Sequence, residues 1–162
     1  MRTTLSLALA LTFFAASAAF AADTSVTGYY RAEGKDAKLS FVRTASGKSW
    51  SDEPTIAFAF TEKDASDAKK LDSDIAFSHK YGSAITMNVS KNSDGVYEVD
   101  DSAFHHTGSD KAGGNASGIL QLKDVTVANG VIAGEVYTKP DTDMFGAKVE
   151  IDLKFKAPMP TK

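Results

Sequence analysis

His105 and His106 stand side by side in FHHTGSDKAGGNASGIL, the stretch Phe104–Leu120. Asp100, Asp101 and Asp110 are close by in sequence, and His79 is the chain's third histidine. Imidazole and carboxylate are what a divalent transition metal takes where thiolate is missing, and this chain has no cysteine. A metal or hydrolytic site using His105, His106 and Asp101 is therefore one chemical reading of the sequence. Against it, adjacent histidines on a strand point to opposite faces and reach one ion only where the backbone is irregular. The ligand spacings H-x₃₋₅-H and H-E-x-x-H are absent. Glycines 108, 113, 114 and 118 favour a mobile connection, from a strand ending near His105 to one starting near Gly118, over a preorganised site.

Other chemistry meets similar obstacles. In DTDMFGAKVEID, Asp141, Asp143, Gly146 and Asp152 match positions 1, 3, 6 and 12 of a calcium loop, but position 5 is Phe145, which offers no oxygen. A turn after Pro140 explains the same aspartates. There is no G-x-S-x-G elbow, and Ser117 has nothing in the sequence to orient it toward His105 or His106. Glu33, Glu53, Glu98 and Glu135 could pair as glycosidase carboxylates only if the fold brought them together. No phosphate or dinucleotide loop surrounds the glycines, so no cofactor is expected and no catalytic residue is assigned. Amphipathic aromatics are stronger candidates for contact with a ligand. Trp50 lies in the turn-rich SGKSWSDEP, Phe145 at a loop tip and Tyr137 in VIAGEVYTKP.

The elements that must carry these residues follow a period of two. In GAKVEIDLKFKAP, Ala147, Val149, Ile151, Leu153 and Phe155 alternate with charged residues, as an antiparallel strand with one wet face requires, until Pro158 and Pro160 stop the ladder. Weaker alternation marks SVTGYYRAEG, AKLSFVRTA, TIAFAFTEK, SAITMNVSKN, VYEVDD, GILQLKDVTVA and VIAGEVYTKP. Asn129-Gly130 is the strongest hairpin signal. Asp64 can cap one short surface helix beginning near Ala65, with Lys69 and Lys70 in its last turn. The expected fold is all-β and mainly antiparallel: a single β-sandwich or flattened barrel of seven to eight strands with that one helix.

Arg2, an apolar run from about Leu5 to Ala16 and Ala19-Phe20-Ala21 together form a signal-peptide pattern, so residues 1–21 are expected to be removed and 22–162 to form one β-rich domain. The apolar run is shorter than the roughly 20 residues a membrane span needs. The net charge is −3, and it is one unit more negative once Arg2 is gone. That balance excludes nucleic acid as the main partner, since phosphate binding needs clustered cations. Lack of cysteine fits a bacterial periplasm or exterior better than a strongly oxidising secretory pathway.

The pattern IAFAFTEKDASDAKKLD followed by GILQLKDV, NGVIAGEVYT and FGAKVEIDLKF resembles small exported bacterial β-domain proteins of unassigned function. The resemblance implies a β-domain and carries no site residues with it. The expectation is thus a periplasmic or secreted, non-enzymatic domain that binds a protein or small ligand through loop residues. Alternatives are an inhibitor or immunity-type protein blocking a cell-wall enzyme, and the metal-binding or hydrolytic protein of His105 and His106.

Overall fold

Alternation of apolar and polar residues becomes a ladder of antiparallel strands in the computed structural model, which describes residues 24–49, 52–144 and 146–161. In chain order the elements are β1 (Ser25–Ala32), β2 (Lys35–Ala37), β3 (Phe41–Lys48), β4 (Pro54–Thr61), α1 (Ser73–Phe77), β5 (Ala84–Lys91), β6 (Tyr97–His106), β7 (Ser109–Ala116), β8 (Leu120–Ala128), β9 (Val131–Thr138), β10 (Asp143–Met144) and β11 (Ala147–Pro158). One sheet runs β2-β1-β11-β9-β8, with β10 on β11, and the other runs β3-β4-β5-β6-β7. The fold is an all-β sandwich, with eleven strands among the described residues against the seven to eight expected, because β2 and β10 are too short to show a period and β7 is rich in glycine.

The two sheets meet through their inward positions. From the first come Tyr30, Val149, Ile151, Leu153 and Phe155, and from the second Phe58, Phe60, Ile85, Met87 and Phe104, all buried. Phe155 sets its ring edge-on to Phe58 and Phe60, at 5.3 and 5.7 Å between centroids, and so ties the two layers together. The Asn129-Gly130 turn behaves as its sequence implies, both residues taking positive φ (51° and 73°) to join β8 to β9.

Two expectations are corrected. The helix does not begin near Ala65. Asp64 instead accepts from the backbone N–H and hydroxyl of Ser66 in a local turn, and Asp72 caps α1 by accepting from the Asp74 N–H. Ile75 and Ala76 are the adjacent apolar pair that must reach the sheet, whereas Ala65 and Leu71 do so singly from irregular backbone. The glycine-rich stretch after His105 is not a long connection either. It holds β7, which pairs with β6 after a two-residue turn at Thr107-Gly108. Glycine is a poor strand former and hid that strand.

The outer face of the second sheet is lined by Ala57, Ala59, Ala84 and Ala103, and small side chains let the 62–83 segment lie close upon it. Leu71, Ile75, Ala76 and Tyr81 pack down from this strap. Polar ties hold its ends. The Arg43 guanidinium donates to the carbonyls of Ala65 and Ala68, the Ser83 N–H donates to Glu62 at 2.6 Å, and the Tyr81 hydroxyl donates to Asp67 at 3.0 Å.

Candidate functional site

Where the alanines end, the same outer face turns polar. Thr86, Asn88, Asp101 and Asn115 project from β5, β6 and β7 into a groove of about 520 Å³. Leu71, Asp72 and Ser73 at the start of α1 form one wall, and Lys48 and Ser49 at the end of β3 border it too. That volume lies within the range of small-molecule sites. The strap therefore covers part of the sheet and leaves a polar floor open beside it.

The floor is wired across three strands. Thr55 Oγ1 donates to Asn88 Oδ1 at 3.4 Å, and Asn88 Nδ2 donates to both Asp101 oxygens, at 3.0 and 3.3 Å. Gly47 of β3 permits the close packing: a Cβ there would fall 2.7 Å from Thr55 Oγ1 and 3.0 Å from Asn88 Oδ1. Asp101 keeps acceptor capacity on each oxygen, since a carboxylate offers about four lone-pair directions. Thr86 lies on the same floor, its side chain largely covered by its neighbours.

A β-bulge sits at this point. Asn88 pairs with Asp101 and Val89 with Val99, so Asp100 is an extra residue in β6. Its Oδ1 accepts from the Ser90 hydroxyl at 2.7 Å, while Oδ2 is buried without a partner among the described residues. Bulges re-aim side chains and are over-represented beside functional sites.

The residues singled out from sequence do not converge. His105 and His106 lie on opposite faces of β6. His105 meets His79 at 4.0 Å between ring centroids in a smaller cavity near the end of α1, whereas His106 is buried against Tyr30 at 4.8 Å. Asp101 belongs to the groove and is engaged by Asn88. The three thus share no metal-binding point, and no such cluster of three His, Asp or Glu residues occurs among the described residues. Ser117 borders the groove rather than the histidines. Glu33 accepts from Ser109, Glu98 from Asn92, and Glu135 pairs with Lys123, so these carboxylates have separate partners. Asp143 turns back on the Gly146 N–H and Asp141 pairs with Lys148, as a turn after Pro140 requires. Tyr137 is half-buried in β9 of the other sheet, beneath Lys123, and is no part of the groove. Trp50 and Phe145 lie outside the described residues.

His106 has a different consequence. The Gly108 N–H donates to its Nδ1 at 3.0 Å, which assigns the ring proton to Nε2, and Nε2 finds no acceptor. Burial pushes the His106 pKa below the usual imidazole value, against the opposing charge of Glu62. Burial also lowers that of His105, with His79 and His106 adding to the shift. An unfolded chain therefore takes up protons near pH 6.5 that the folded chain refuses, and stability must fall as pH drops through that value. The melting temperature is expected to decline from pH 7 to pH 5, above the range where most carboxylates titrate. His106→Leu should flatten that slope, and an unchanged slope in the variant would place its origin elsewhere.

Compared with protein-family models, with curated proteins and with solved structures, the chain matches none.

Proposed function

We propose that this chain is an exported, non-enzymatic β-sandwich domain that binds a small ligand in the polar groove on the outer face of its second sheet. The observation that carries the reading is the polar floor of the groove, where Asp101 keeps acceptor capacity beyond its bonds from Asn88 and stands beside Thr86 and Asn115. Acceptor and donor capacity that the protein does not use up calls for water or a ligand to complete it. The bulge at Asp100 and the Thr55–Asn88–Asp101 chain hold that floor in place. Export rests on the pattern of residues 1–21 together with the lack of cysteine. Among the described residues no helix is long and apolar enough to cross a membrane.

The reading is tested by screening a mixed fragment library against the ¹⁵N-labelled protein. Fragments that bind should shift the amides of Thr86, Asn88, Asp101 and Asn115 together. Thr86→Val keeps the side-chain volume, so the fold should survive while those shifts shrink. Shifts that gather at another surface, or none across the library, count against the groove.

A further inference from the structure

The chemistry of the groove narrows what it can hold. Among the described residues its lining offers hydroxyls or amides from Ser73, Thr86, Asn88, Asn115 and Ser117, beside apolar surface that includes Leu71, Ala103 and Ala116. A wholly apolar ligand would strip water from those polar groups without replacing its hydrogen bonds. An anion fares no better. Among the described lining residues the cation is Lys48; its ammonium already pairs with Asp52 at 3.2 Å, and Asp72 and Asp101 face the same space. A phosphate would meet more negative than positive charge. A free cation would find the Asp72 carboxylate accepting from the Asp74 N–H and no group of three His, Asp or Glu to hold it among the described residues.

A neutral ligand rich in hydroxyls satisfies every one of these conditions. Each hydroxyl both donates and accepts, and so can pair with a threonine or serine hydroxyl, an amide or a carboxylate in turn. Asp101 presents two oxygens side by side, each with spare acceptor capacity, and adjacent hydroxyls on a ring present two donors at matching separation. Hydrogen bonds to an ionised acceptor are the stronger kind. Ala103, Ala116 and Leu71 leave a small apolar patch for the C–H face of such a ring.

We infer that the ligand of this groove is a neutral carbohydrate, one or two sugar rings held through ring hydroxyls by Asp101, with Thr86 and Asn115 completing the contacts. This rests on the groove being the binding site. The test titrates the ¹⁵N-labelled protein with four neutral disaccharides (maltose, cellobiose, lactose and N,N′-diacetylchitobiose) and, separately, with inorganic phosphate, octanoate and trialanine. At least one disaccharide should shift Thr86, Asn88, Asp101 and Asn115 saturably in the millimolar range, and the other three probes should not. Asp101→Ala should weaken that binding at least about tenfold, as loss of one charge-assisted hydrogen bond implies. Asn115→Ala, at an exposed strand position, guards against a folding artefact and should weaken it less. If phosphate, octanoate or trialanine shifts the groove and no disaccharide does, the carbohydrate inference is overturned and the groove stands. If no probe shifts it, both fail.

Discussion

Phe58→Ala is expected to lower the unfolding free energy by about 3–5 kcal/mol, the range for a large aromatic deleted from a packed core. Phe58 is 0% exposed, lies parallel to Phe60 at 6.0 Å between centroids and takes the edge of Phe155 at 5.3 Å. Removing the ring leaves a cavity between two sheets whose hydrogen-bonded ladders limit collapse, so most of the cavity cost should persist. Phe41 is the matched control. It begins β3 at 39% exposure, and Phe41→Ala should change stability by no more than about 0.5 kcal/mol. Urea unfolding followed by circular dichroism measures both. Equal effects of the two variants would mean that the sheets do not meet through Phe58.

Gly28→Ala should be comparably severe for a different reason. Gly28 sits within β1 opposite Leu153 with φ at 119°, and a Cβ built there would lie 2.0 Å from the Asp152 carbonyl oxygen. Neither chain can step aside cheaply, because β11 is paired on both edges, by β1 and β9. The expected loss is about 2–4 kcal/mol, from strain in an unsuitable φ and displacement of the ladder. Gly130→Ala isolates the φ contribution. Its φ is also positive, at 73°, yet nothing lies within 4 Å of the new methyl, so about 1–2 kcal/mol is expected. A Gly28 variant no worse than the Gly130 variant would show that the close approach to Asp152 is absent.

What the sequence made legible depended on whether the information was local. Alternation in Ala147–Pro158 announces β11, and Asn129-Gly130 announces its hairpin, because side-chain period and φ preference are written residue by residue. The helix was displaced because Asp64 and Asp72 are equally good caps, and only the alanine surface below decides that Ile75 and Ala76 take the helical turn. Strand β7 was missed because its pairing with β6, not its own propensity, makes it a strand.

The site was legible in part. Asp101 was found, but for metal chemistry with two histidines that β6 sends to opposite sides. Its true neighbour, Asn88, comes beside it through the register of β5 on β6 and the bulge at Asp100, and register between distant segments is not encoded by spacing. One signal was available. Thr86 and Asn88 are polar residues at alternate positions of SAITMNVS, on the face where Ala84 is buried beneath the strap. Polar positions on a covered face are where a binding floor is to be looked for.

The groove makes one claim above the others, that ligand atoms contact the floor of the second sheet's outer face. Intermolecular nuclear Overhauser effects from ligand protons to protein methyl groups test it directly. With a disaccharide bound, cross-peaks should appear to the methyls of Thr86, Ala103 and Ala116, which line the groove. Cross-peaks instead to Val96 and Val127, the exposed valines lining a separate cavity, would contradict the claim and move the binding site there.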